Sequence, residues 1–338
     1  MAGMTGLYIA GLSTKLGRDR LPVASAIADG IYPRETAEAD GYSSIAREDT
    51  RTSYEMALDA ARTAIAEASG DAVDLAGLVY ASIHRHGQPR LWSPASWLQR
   101  QLDIPGSVPV LAVQQGCNGL LQAMIALGDT CRMQPARPAL FVGADRFEAS
   151  GFDRWRSDYG LLYGDAAAAV VISGRSGFAR ILHLAVDGAP ELEELHRDSD
   201  FVPEGPDSWR SEYDVRRSKK AFLSAYGQDG FVRPLNAALT RLKADLLASP
   251  AWNGQVEWVL TPFVGSKIRS ATYEAAFAQL GRRSGWEIGK NLGHLGTTDG
   301  WVGLEEIRRS GAIARGERIL IVSAGVGFSC GLALIEML

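Results

Sequence analysis

The chain has 338 residues, 46% of them hydrophobic and 22% charged, which leaves room for a large core and enough for two. Its formal charge of −4 provides no basic footprint for nucleic acid, and no apolar run is long enough to span a bilayer. Three widely spaced cysteines (Cys117, Cys131 and Cys330) form no CxxC pair, which argues against a zinc or disulfide framework and for a reducing, cytoplasmic setting.

In chain order, the apolar patch within residues 1–17 is expected to be a β-strand, because no basic start precedes a true apolar core as in a leader. A helix is expected over 53–69 (SYEMALDAARTAIAEAS) and a strand over 75–83 (LAGLVYASI). In the run 116–133, GCNGLLQAMIALGDTCRM, apolar residues recur at three- and four-residue steps, which predicts a helix. Strands at 138–145 and 166–173 close this half. The second half repeats the order: a helix at 235–249, a strand at 256–263, a Gly-rich loop at 291–300, a helix at 301–313, and strands at 318–325 and 330–338. Such alternation argues for an α/β fold of mixed, helix-covered sheets. The repetition argues for two similar halves, 1–174 and 175–338, packed about a pseudo-twofold axis. Ligand crevices in such sheets lie beyond the strand ends. Under this packing the loop holding Cys117 faces the loop holding His294.

The segment Gln114-Gln115-Gly116-Cys117-Asn118-Gly119 sets a thiol between glycines at a strand-to-helix turn. Glycine permits a tight turn and close approach of a substrate. A helix N-terminus offers unpaired N–H groups and a partial positive charge, which suits an anionic nucleophile that attacks a thioester. The alternative reading is a buried structural cysteine. Cys131 and Cys330, in an apolar helix and strand, read as core.

These motifs, in order over nearly the whole chain, resemble the β-ketoacyl-acyl carrier protein synthase III branch of the thiolase superfamily. The nucleophile turn is Gly116-Cys117-Asn118-Gly119. Val142-Gly143-Ala144-Asp145 and Tyr163-Gly164-Asp165-Ala166 match the "VGSD…GDGAGA" pair, and Gly325-Val326-Gly327-Phe328-Ser329-Cys330-Gly331 matches the "GGGFTWG" ending. The resemblance implies a five-layered αβαβα thiolase-like duplication, a homodimer, and acyl-CoA or acyl carrier protein thioesters as cosubstrates without a permanent cofactor or metal. It also implies an oxyanion site made by the backbone N–H groups of Cys117 and Val326, and a structural role for the Asp165 turn.

Two departures redirect the chemistry. The family's catalytic histidine lies in a "PHQAN" segment and its asparagine in "GNTSA"; here Pro262 and Thr297 stand at those positions. Losing one preorganised donor to a developing oxyanion costs about 2.7–4 kcal/mol, so losing both should make decarboxylative condensation uncompetitive. Gly293-His294-Leu295-Gly296-Thr297-Thr298-Asp299 instead supplies a histidine and a carboxylate, as in the ketosynthase-like O-acyltransferases of antibiotic pathways, malonyl-ester-forming ones among them. The resemblance implies that Cys117 takes the acyl group, His294 deprotonates an acceptor hydroxyl, and Asp299 orients the imidazole, malonyl being the preferred group. Asp299 has a rival role as helix N-cap. Rival activities are a carrier-to-carrier acyl shuttle, a decarboxylating synthase, and a non-catalytic partner subunit.

Arg154, Trp155 and Arg156 are candidates for a CoA or phosphopantetheine contact, with solvation as the alternative. His84 and His86 lack a third metal ligand and read as lining a pocket mouth or a subunit contact. His183 and His196 read as solvated loop residues.

Overall fold

The computed structural model describes residues 6–69, 74–84, 92–147, 152–197 and 215–338. The first half comprises β1 (Leu7–Leu16), β2 (Asp19–Pro22), α1 (Val23–Ala28), α2 (Arg34–Asp40), β3 (Ser44–Arg47), α3 (Ser53–Ser69), β4 (Gly77–Ala81), α4 (Pro94–Gln101), β5 (Val110–Val113), α5 (Gly119–Met133), β6 (Ala139–Asp145) and β7 (Ala166–Ser173). The second comprises β8 (Ala179–Gly188), α6 (Val215–Ala248), β9 (Val256–Leu260), α7 (Ser266–Arg269), α8 (Ala275–Phe277), β10 (Gly281–Ser284), α9 (Trp286–Gly289), α10 (Asp299–Arg309), β11 (Arg318–Gly325) and β12 (Ser329–Met337).

The ten main strands run β10-β9-β11-β12-β8-β1-β7-β6-β4-β5. Numbered within its own half, each set of strands therefore follows the order first, fifth, fourth, second, third. The pairing directions repeat as well: β6 and β5 flank β4 in parallel, as β11 and β10 flank β9. The halves join where β1 meets β8 over Leu7 to Ile9. Between them lie α5 and α10, each touching strands of both halves, while α3 covers the first half and α6 the second. The result is the αβαβα thiolase-like fold.

Residue size explains the layers. Along α3, Met56, Ala57, Ala60, Ala61 and Ala64 form one buried stripe of mostly small side chains, which lets the helix lie close on β1 and β7. Thr52 and Glu55 close its N-terminus as a reciprocal capping box, with Thr52 N donating to Glu55 Oε2 at 2.8 Å and Glu55 N to Thr52 Oγ1 at 3.2 Å. The central layer is bulkier: Leu120, Leu121 and Met124 of α5 share one core with Trp301, Leu304 and Ile307 of α10. Helix α6 extends well ahead of the predicted start at 235 and is broken at Gly227, where φ is 70°.

Candidate active site

Both central helices begin at the same end of the molecule, just past the ends of β6 and β11. Cys117 occupies the turn between β5 and α5, and its Sγ lies 2.9 Å from His294 Nε2. Gly116 makes this turn possible, because its φ is +53° and a Cβ there would stand 2.4 Å from the Val326 backbone nitrogen. A Cβ on Gly325 would likewise stand 3.0 Å from the Cys117 nitrogen, so the Gly325–Val326 backbone lies against the Gly116–Cys117 turn. Gln115 Nε2 donates to Val326 O at 3.2 Å and Ser323 Oγ to Cys117 O at 3.3 Å, tying the nucleophile turn to the C-terminal segment.

His294 is 2% exposed. Its N–H donates to Leu162 O at 2.7 Å and its carbonyl accepts from Gly164 N at 2.9 Å, so residues 162–164 grip the backbone while the Tyr163 ring meets the imidazole edge-on at 5.4 Å. Its Nδ1 lies 2.6 Å from Asp299 Oδ2. Asp299 also accepts from Leu295 N at 2.6 Å and from Phe263 N at 2.8 Å. Thr298, not Asp299, holds the N-cap position of α10, and its hydroxyl donates to Leu295 O at 2.8 Å rather than capping the helix. The carboxylate is thus directed at the imidazole. Burial alone would depress the imidazole pKa, but Asp299 and then Cys117 outweigh it and raise His294 well above its ordinary value. Such an array can hold a thiolate beside an imidazolium and move one proton between sulfur and an incoming hydroxyl.

A small cavity at this point is lined by Cys117, Leu121, Pro262, His294, Thr297 and Trp301, among others. Pro262 and Thr297 therefore border the cavity where the resemblance expects histidine and asparagine. Proline offers no donor, yet the next residue supplies the Phe263 N–H to Asp299, and Tyr42 Oη holds Phe263 by donating to its carbonyl at 2.7 Å. Thr297 is buried, and its Oγ1 has no hydrogen-bond partner among the described residues. The Phe263 amide has no sequence signature. Asp145 has one, an acid ending the otherwise apolar strand ALFVGAD, and its carboxyl lies beneath the His294 loop.

The other candidate side chains take the following places, and two of them, His183 and His196, depart from expectation. Arg154 is buried, donating to Asp165 Oδ2 at 3.0 Å and to the carbonyls of Ala46 and Tyr163. Trp155 packs against Tyr32, and Arg156 is exposed with Nε donating to Ile31 O. His183 is not a solvated loop residue: it lies buried in β8, 2.8 Å from Asp245. His196 stacks on Phe328, and its burial, with Lys219 adding to the effect, holds its pKa down at about 3. His84 packs edge-on against Phe147, while His86 lies outside the described residues. Among the described residues, no three His, Cys, Asp or Glu side chains could hold a metal, and no helix is long and apolar enough to cross a membrane.

Residues 111–188 match the family described as 3-oxoacyl-[acyl-carrier-protein] synthase III, and 253–337 match its C-terminal part. The chain is 30% identical over 308 residues to the β-ketoacyl-[acyl-carrier-protein] synthase III of Rhodospirillum rubrum, covering 86% of each. It is 27% identical to synthase III 1 of Vibrio cholerae, covering 85% of each. Among solved structures, the acyltransferase ChlB3 superposes with a TM-score of 0.89 at 29% identity, over 98% of both chains. Synthase III of Aquifex aeolicus superposes at 0.77 with 21% identity, over 98% of this chain and 100% of the other, a likeness of fold.

Proposed function

We propose that this chain, which belongs to the β-ketoacyl-[acyl-carrier-protein] synthase III family, carries an acyl group from a thioester on Cys117 to an acceptor hydroxyl without decarboxylation. The donor is a CoA or acyl-carrier-protein thioester, malonyl is the preferred acyl group, and the acceptor is a natural-product scaffold such as a glycoside or polyketide. One observation carries this reading. An imidazole 2.9 Å from the thiol, backed by a buried carboxylate, stands on the loop where a synthase would keep its amide. Pro262 in the lining of the same cavity adds support, and so does the likeness to ChlB3.

The chemistry then runs in two halves. The Cys117 thiolate attacks the donor carbonyl, and the amides of Cys117 and Val326 receive the oxyanion. Collapse expels the carrier thiolate, which takes a proton from His294, leaving acyl-Cys117. The acceptor hydroxyl attacks this thioester and gives its proton to neutral His294, with Asp299 stabilising the imidazolium that forms. The thiolate leaves and the His294–Cys117 pair is restored.

Incubation with malonyl thioester and a polyol glycoside, followed by product mass, tests the reading. An ester that keeps the malonyl carboxylate supports it. Release of CO2 with a new ketone would make the chain a condensing enzyme instead. Transfer of the group to a second carrier protein would make it a shuttle. A Cys117 that gains acyl mass from no thioester would leave only a non-catalytic partner role.

We also take the working form to be a homodimer. Support comes from β5, a four-residue edge strand whose Leu111 is 46% exposed.

A further inference from the structure

Asp145 ends β6 with its side chain 0% exposed, and the mechanism above assigns it nothing. Its Oδ1 accepts from Ile83 N at 2.8 Å and from His84 N at 3.1 Å, both just beyond β4. Its Oδ2 faces the His294 loop, where a Cβ on Gly296 would come within 2.6 Å and the Thr297 backbone amide supports the carboxylate. Gly296, at φ +65°, thus leaves space for a carboxyl oxygen. A buried carboxyl without a cationic side chain bonded to it is expensive to keep, and a neutral amide would accept the same two N–H groups. The acid therefore calls for a reason beyond joining loops.

We propose that Asp145 is a positioning residue for the transfer half-reaction, fastening the His294 loop to the ends of β4 and β6 and holding a second negative charge behind the imidazole. The titratable groups facing it are Tyr80 of β4, His84 beyond it, at 3.9 Å, and His294. Burial pushes its carboxyl up to about 7 against the pull of the His84 and Ile83 amides and of His294. By reciprocity, its ionisation favours the imidazolium that forms when the acceptor gives up its proton. Asp145 thus supplements Asp299 at longer range and near neutral pH.

The inference rests on the acyl-transfer reading, and Asp145→Asn tests it, since the amide retains the Oδ1 acceptor while removing the charge. Acylation of Cys117, followed by intact mass, should continue near the wild-type rate. Transfer to the hydroxyl should fall on the order of 10-fold, and the pH profile of kcat should move. An unchanged transfer rate and profile would overturn the inference, as would equal loss of both half-reactions with an unmoved profile, the mark of a purely structural role. Should the variant not fold, carbon-13 NMR of labelled wild-type enzyme reads Asp145 directly. Titration near 7 that shifts on acylation of Cys117 supports the inference, and titration in the ordinary carboxylate range, indifferent to acylation, overturns it. A wild-type chain that never acylates Cys117 would sink the transfer reading as well, which separates the two failures.

Discussion

Cys117 and His294 are 177 residues apart in the chain, yet the Sγ–Nε2 distance is that of a hydrogen bond. Replacing His294 by alanine should leave Cys117 able to acylate, at least in part, while transfer to the hydroxyl falls roughly 10²–10⁴-fold. Single-turnover acylation and product formation, measured separately, check this, and transfer at the wild-type rate would remove His294 from the mechanism. Asp299→Asn carries a pH signature. His294 is raised above its ordinary value of 6.5 by Asp299, so the stability this pair contributes is complete below that value and fades as pH rises through the higher folded one. The melting-temperature gap between wild type and Asp299→Asn should therefore be widest near about pH 6 and narrow on the alkaline side. A gap that does not narrow on the alkaline side contradicts the assignment. The residue types of this site were legible as a thiol, an imidazole and an acid in Gly-rich turns. The choice between triad member and N-cap for Asp299 was not, because both roles put an acid before the same helix.

At the scale of elements, the starts of α5 and α10 place the chemistry, and the turn at Gly116 lies against the Val326 backbone. Gly116→Ala would impose a left-handed conformation costing about 1–2 kcal/mol and drive a methyl into the Val326 amide. If that amide receives the oxyanion, acylation of Cys117 should slow on the order of 10²–10³-fold. A stopped-flow acylation rate close to wild type would remove Val326 from the oxyanion site. Periodic elements such as α3, α5 and α10 stood out in the sequence because one face of each is buried. Strands β5 and β10 did not, being four-residue edge pieces, and β10 (GRRS) has no apolar alternation. Strand β8 escaped for another reason: His183 interrupts its apolar run, and only the Asp245 partner from α6 explains a buried histidine there.

For the whole molecule, the strand order repeated in both halves brings two helix starts to a shared cavity and leaves β5 at one edge of the sheet. If a second copy covers that edge, Leu111→Glu should yield a monomer by light scattering where the wild type gives a dimer. A wild type that already runs as a monomer would refute the assembly.

The sequence alone determined part of the inventory: the periodic helices and longer apolar strands, their repeated order, and a thiol and an imidazole each in a glycine-flanked turn. Periodicity and turn chemistry are local, so one dimension is enough to record them. The tertiary structure decided the partnerships. It turned Asp299 toward His294, gave Phe263 N–H to its carboxylate, withdrew Arg154 into the core, and set Asp145 under the loop. The Phe263 amide reaches Asp299 across 36 residues, and Asp145 reaches the Gly296 turn from the other half, approaches that exist only in the folded chain.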